Sequence, residues 1–212
     1  STPQITMITL QPIAPQDIEA ESFRIIEREL GPTTFSPEEF AVVRRTIHAT
    51  GDFSFADNLR FHPQAIAAGL AAIRAGKNIL IDVNMGASGI SKGLLTRFGG
   101  RVICRVAEEE TVAMAKANGT TRSDAAMARS IDDNIGIVAV GNAPTALLKV
   151  MELIDQGIFA PDLVIGVPVG FVNAAESKDL LAEKPYPFIT ALGRKGGTPV
   201  AVAAVNALLR LA

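Results

Sequence analysis

The chain has 212 residues, 48% apolar and 20% charged, with 20 Lys+Arg against 22 Asp+Glu, two His, one Cys, one Tyr and no Trp. That length fits one compact unit with a buried core, and the lone Cys104 excludes an internally stapled disulfide scaffold and points to a reducing compartment. A formal net charge of −2 lacks the basic footprint of a dedicated nucleic-acid binder, so a charged ligand must be met by local placement of charge.

Ser1 to Leu10 carry no basic segment followed by an apolar one, and no run approaches the ~18 apolar residues of a membrane span. A cytoplasmic protein with no membrane partner is the expectation. The apolar residues are mostly Ala, Val, Ile and Leu, which suits a sheet covered by helices on both faces.

In chain order, residues 1–76 read as a helical N-terminal part and 77–212 as a βαβ series, together one domain over 1–212. A first helix spans about Asp17–Glu29. The second begins at Ser36-Pro37-Glu38-Glu39, a capping box with Pro at the first helical position, and ends near Gly51, with Phe40, Val43 and Ile47 as its buried stripe. A third runs from Pro63 to about Ala75, before Gly76; no strand is expected between residues 15 and 75.

Strands are expected at Asn78–Val83, Arg101–Val106, Ile135–Val140, Leu163–Val167 and Phe188–Leu192. They lack polar alternation, as strands buried on both faces of a parallel sheet do. Helices alternate with them at about Ser91–Phe98, Glu108–Ala117, Arg122–Ile131, Ala143–Gln156 and Ala174–Glu183, with a last one capped by Thr198 and carrying Pro199 at its first position. Right-handed crossovers make this an open, doubly wound three-layer α/β/α sandwich on five parallel strands.

Such a sheet binds ligands outside the carboxyl ends of its strands. The turns expected there are Asn84–Gly89, Gly141–Thr145, Pro168–Asn173 and Gly193–Thr198, each joining Gly or Pro to polar residues. Gly193-Arg194-Lys195-Gly196-Gly197-Thr198 is the clearest anion-binding candidate, its Gly pair letting backbone amides approach a ligand while Arg194 and Lys195 supply charge. It is not a P-loop, and no strand is followed by a dinucleotide glycine fingerprint. A basic turn with no ligand is the alternative.

His48 lies in the last turn of the capped helix, off the Phe40/Val43/Ile47 face. A helix C-terminus favours a cationic imidazole and Asp52 could add a carboxylate, which together suit a proton donor; an exposed histidine that merely complements the dipole is the alternative. His62 is weaker, since it precedes Pro63 and can serve as a helix cap. No ligand cluster has metal-like spacing, Ser88 is not in a nucleophile elbow, and Cys104 falls inside an expected strand. Glu176-Ser177-Lys178 reads as a solvated helix face or as a presentation of Lys178 to a ligand.

Four blocks in order carry a resemblance: Arg44-Arg45-Thr46-Ile47-His48-Ala49-Thr50-Gly51-Asp52-Phe53; Gly141-Asn142-Ala143-Pro144-Thr145; Gly166-Val167-Pro168-Val169-Gly170-Phe171-Val172 with Glu176-Ser177-Lys178; and Gly193-Arg194-Lys195-Gly196-Gly197. The chain resembles the precorrin-8X methylmutase (precorrin isomerase) family from about Ser22 to Leu209. The resemblance implies a flavodoxin-like fold, a homodimer with the site near the subunit interface, no redox cofactor, and an isomerase of cobalamin biosynthesis. The implied reaction moves a methyl group from C11 to C12 of a corrin ring, converting precorrin-8X or its cobalt form to hydrogenobyrinic or cobyrinic acid.

The resemblance places the catalytic proton donor at His48. It implies Ser22, in Glu21-Ser22-Phe23, as a substrate contact, and a corrinoid polycarboxylate would further use Arg45, Arg122, Asn142, Arg194 and Lys195. The chain departs from the family at Ile81-Asp82-Val83, where Thr-Asp-Val is common, and at Glu176-Ser177-Lys178-Asp179, where Glu-Ser-Lys-Glu is. Two rival readings are a nucleotide-dependent enzyme on the same fold and a non-catalytic tetrapyrrole binder; the second would keep the anion-binding turns without needing His48.

Overall fold

A computed structural model describes residues 7–212. After a 3-10 turn at Pro15–Asp17, helices α1 (Ile18–Leu30) and α2 (Pro37–Thr50) form as the sequence predicts. The capping box at α2 is complete: Ser36 Oγ accepts from Glu39 N at 3.1 Å, and Glu39 Oε1 accepts from Ser36 N at 2.9 Å. Gly51 closes the helix at φ 67°, a left-handed cap that costs glycine nothing.

The remaining elements are α3 (Phe55–Asn58), β1 (Leu59–Phe61), α4 (Ala65–Arg74), β2 (Asn78–Ile81), α5 (Asn84–Gly89), α6 (Lys92–Thr96), β3 (Val102–Ile103), α7 (Glu109–Asn118), α8 (Arg122–Ala128), β4 (Ile135–Val140), α9 (Pro144–Asp155), β5 (Leu163–Gly166), α10 (Ala174–Ala182), β6 (Phe188–Ala191) and α11 (Thr198–Leu211). The sheet order is β1-β6-β5-β4-β2-β3. Strands β2 to β6 are the five expected parallel strands, and their order is the flavodoxin-like one, with the chain reversing direction across the sheet between β2 and β4.

Successive residues of each strand enter opposite cores. Ile79, Ile81, Ile137, Ala139, Leu163 and Ile165 pack toward α2, α4 and α11, whereas Leu80, Val138, Val140 and Val164 pack toward α8, α9 and α10. Both faces are apolar because both are covered. Helix α11 lies on β4 and β5, and α2 packs on α11 from outside through Val42, Val43 and Ile47. Phe40 of the expected stripe is only partly buried, and Thr46 is fully buried with its hydroxyl donating to Val42 O at 2.8 Å.

Four local expectations need correction. A sixth strand, β1, pairs antiparallel with β6 (Leu59 opposite Ala191, Phe61 opposite Ile189), although residues 15–75 carry no legible strand. Three residues are too few to show a period, and β1 forms because β6 offers a free edge. Asn84–Gly89 is a short helix, not an open turn; Gly86 permits it, since a Cβ there would stand 2.3 Å from Ile81 Cδ1. Strand β3 is cut to two residues because Arg105 turns away to Asp133 (2.7 Å) and Glu108 (2.9 Å). Gly197, not Thr198, is the N-cap of α11, which places Pro199 second in the helix. Among the described residues no helix is long and apolar enough to cross a membrane.

Candidate active site

Helices α1 and α2 bring the first group together. His48 is exposed on the last turn of α2, its ring edge-on to Phe23 of α1 at 5.5 Å and 83°. The guanidinium of Arg45 lies 5.3 Å from the same Phe23 ring and bonds Glu19 Oε1 at 2.5 Å; Arg44 stacks on Phe23 at 4.2 Å and pairs with Glu27 at 2.5 Å. The Arg45 hydrogen bond holds the Glu19 carboxyl below the usual range, and the charges of Arg45 and Arg210 add to this. Ser22 sits one residue from Phe23 and spends its hydroxyl proton on Ile18 O at 2.8 Å, which leaves its oxygen as an acceptor. The structure thus assembles Ser22, Arg45 and His48 on one helix pair. It adds Phe23 and Glu19, which the sequence reading did not single out.

Asp52 follows His48 by four residues but does not face it as expected. Its carboxylate binds Lys195 Nζ at 2.8 Å and the amide and hydroxyl of Ser54 at 2.9 and 2.6 Å. The Lys195 bond, with Ser54 behind it, holds the Asp52 carboxyl down to about 2. One salt bridge therefore ties the end of the His48 helix to the β6–α11 turn. Arg194, next to Lys195, lies 5.0 Å from the ring of Phe171 in the β5–α10 loop. Phe171 and Val172 are 81% and 77% exposed, and Met85 at the start of α5 is 78% exposed, so the carboxyl edge of the sheet carries apolar surface as well as cations.

The backbone amides of these turns serve the fold more than the sequence reading expected. Asp82, fully buried at the end of β2, accepts from Gly141 N (3.1 Å), Asn142 N (2.9 Å) and Ala143 N (2.9 Å) across the reversal point of the sheet. Burial holds its carboxyl above the usual carboxylate range, although the three amides oppose that shift. The Gly196-Gly197 pair also approaches protein closely: Gly197 N donates to Val167 O at 2.8 Å, and a Cβ on Gly196 would lie 2.3 Å from that same carbonyl. Gly141 is required for the same reason, since its Cβ would stand 2.7 Å from Thr198 Cα. Asp82 left one readable signal, a carboxylate inside an otherwise apolar strand run.

Beside Asp82 a cavity of about 480 Å³ is lined by Val83, Val106, Ala107, Thr121, Arg122, Ser123 and Asn142. Arg122 opens α8, where Thr121 Oγ1 caps the helix by accepting from Asp124 N at 3.0 Å, and Asn142 is held from behind by Asp82. Arg122 and Asn142 therefore meet at the crevice where this topology places ligands. Lys178 is neither solvated nor presented to a ligand: it is fully buried, with Nζ donating to Lys195 O at 2.7 Å.

A doubly wound sheet with an arginine-lined crevice at its reversal point, flanked by cations and exposed apolar side chains, defines an α/β protein of the flavodoxin-like kind with its candidate ligand site along the carboxyl edge. Comparison with known proteins specifies which. The family described as precorrin-8X methylmutase matches residues 17–211. A cobalt-precorrin-8 methylmutase from Priestia megaterium is 46% identical over 201 residues, covering 94% of this chain and 89% of the relative. A precorrin-8X methylmutase from Pseudomonas aeruginosa is 42% identical over 196 residues, covering 91% and 94%. The crystal structure of a precorrin-8X methylmutase from Thermus thermophilus superposes with a TM-score of 0.85 at 50% identity, covering 92% of this chain and 95% of that one. The chain belongs to the precorrin-8X methylmutase family, the isomerases of cobalamin biosynthesis.

Proposed function

We propose that His48 is the proton donor for migration of a methyl group from C11 to C12 of precorrin-8X or its cobalt form. The observation that carries this reading is the placement of His48. It is an exposed imidazole at the C-terminus of α2, braced edge-on by Phe23 and one turn from a bridge to a carboxylate-seeking turn. Protonating a ring nitrogen draws electron density from the conjugated system and eases migration of the methyl; the proton is returned afterwards, as an isomerisation requires. The ring supplies the reacting π-system and the protein supplies orientation.

In this reading Ser22, Arg45, Arg122, Asn142, Arg194 and Lys195 bind the acetate and propionate arms of the substrate. Arg45 and Lys195 are held by Glu19 and Asp52, so their guanidinium and ammonium are aimed before substrate arrives, and an incoming carboxylate shares each cation with its acidic partner. Arg122 is exposed and Asn142 lines the crevice beside it. The exposed apolar side chains Met85, Phe171 and Val172 suit both the flat face of a corrin ring and burial against a second copy in a homodimer. A polycarboxylate metabolite does not cross a membrane unaided, which supports a cytoplasmic reaction in the compartment where the ring is made.

The test is incubation of the wild type and of His48→Ala with precorrin-8X and with its cobalt form while the visible spectrum is followed. The wild type converts at least one of them, and His48→Ala binds the ring without converting either. Near-normal turnover by His48→Ala removes the catalytic assignment.

A further inference from the structure

We propose that Lys178 is a positioning residue for substrate carboxylates: from beneath the Gly193–Gly197 turn its buried ammonium fixes the Lys195 carbonyl, and so the direction in which Arg194 and Lys195 present their charges. The proposal rests on the reading of Arg194 and Lys195 as carboxylate contacts.

Three bonds clamp that turn to its surroundings. Gly170 N donates to Arg194 O at 3.1 Å, Gly197 N donates to Val167 O at 2.8 Å, and Lys178 Nζ donates to Lys195 O at 2.7 Å. The first two are loop-to-loop backbone bonds, whereas the third is a charged donor reaching from α10, and charge-assisted bonds are the stronger kind. Lys195 is thereby held at both ends, its carbonyl from below by Lys178 and its ammonium from above by Asp52 and Ser54. The clamp thus runs from α10, through the turn, to the residues following the His48 helix.

A cation is an expensive way to hold one carbonyl. Lys178 is fully buried, and burial pulls its pKa down to about 8, with Asp179 beside it on α10 the one charge opposing that shift. Lys195 turns its own ammonium away to Asp52 and supplies Lys178 only a carbonyl. An unbranched apolar side chain of similar length would fill the same space without the desolvation cost. What it could not supply is a directional donor to the turn and a positive charge behind Arg194 and Lys195, both of which matter to a ligand carrying many carboxylates.

A purely packing role and a positioning role predict different affinities for Lys178→Met, since packing alone leaves corrinoid binding at the wild-type value. The positioning role predicts a thermal midpoint equal to or above the wild type, with affinity for the corrinoid product hydrogenobyrinic acid, titrated by visible absorbance, weakened roughly tenfold. In turnover the loss falls on KM more than on kcat, and Lys178→Arg, which keeps the charge and donor, recovers most of the affinity. Wild-type product affinity in Lys178→Met overturns the proposal. So does weakened affinity accompanied by a lowered midpoint that Lys178→Arg does not recover, which would make the loss one of fold stability and not of aim. His48→Ala separates the two readings, because it loses turnover while keeping product affinity; a wild type that binds no corrinoid overturns the functional reading and this one with it.

Discussion

Asp82→Asn is the sharpest test of how the crevice is built. In the native chain Oδ1 accepts from Gly141 N, and Oδ2 accepts from both Asn142 N and Ala143 N. Asparagine offers one oxygen. If that oxygen keeps the pair at Asn142 and Ala143, the new NH₂ group faces the Gly141 N–H, donor against donor. One bond to a charged acceptor is lost, about 1.5–3 kcal/mol. The surviving two fall to about half their strength on becoming neutral. Burial outweighs the three amides on the native carboxyl, so relief from burying the charge offsets the weakening of the surviving pair, and the net loss is that of the unpaired Gly141 donor, about 1–3 kcal/mol. For a domain of this length that corresponds to a thermal midpoint lower by about 2–12 °C. Circular dichroism melting gives the midpoint, and amide hydrogen exchange reports Gly141, Asn142 and Ala143 individually; these three amides should exchange faster than in the wild type while those of β5 and β6 do not. A drop below about 2 °C with unchanged exchange at the three amides would refute the view that Asp82 sets the loop.

Two further predictions concern pH and one concerns binding. The Asp52 carboxyl is held at about 2, below its ordinary 3.8, so the Lys195–Asp52 bridge contributes stability that is complete above 3.8 and lost as pH falls through about 2. Asp52→Asn should lack that acid-limb loss in urea melts, and identical acid limbs would exclude the bridge as its source. The Lys178 ammonium is depressed to about 8 from 10.5, so the unfolded chain binds the proton more tightly and wild-type stability rises with pH between about 8 and 10.5. Lys178→Met should be flat over that window, and parallel curves would show the ammonium is not desolvated. Arg122 is exposed at the crevice, so Arg122→Met should raise KM roughly tenfold with no change in midpoint, as read by steady-state kinetics and melting.

The local signals that were legible share a short range. The capping box at Ser36 and Glu39, the Gly51 stop and the apolar runs of β2, β4, β5 and β6 each involve residues within one turn or one strand of each other, where periodicity and cap chemistry act. His48 was legible as an exposed group because it stands off the Val43/Ile47 face. Its partner was misread. Asp52 is adjacent in sequence, but a carboxylate follows the strongest donors in reach, and those are Lys195 and Ser54. Lys178 was misread for a related reason: charge usually signals solvent, and nothing local announces that the β6–α11 turn folds over it.

The sequence by itself determined the family, the alternation of helix and strand and the five parallel strands, because these follow from ordered motifs, local caps and apolar periods. The tertiary structure decided which polar groups are free for chemistry. Asp82 reaches amides about sixty positions away, Lys195 reaches Ser54 across 141, and β1 exists only because β6 has an open edge. Hydrogen bonds and ion pairs are satisfied by neighbours in space, and for a buried donor or acceptor the cost of going unpaired selects those neighbours whatever their distance along the chain.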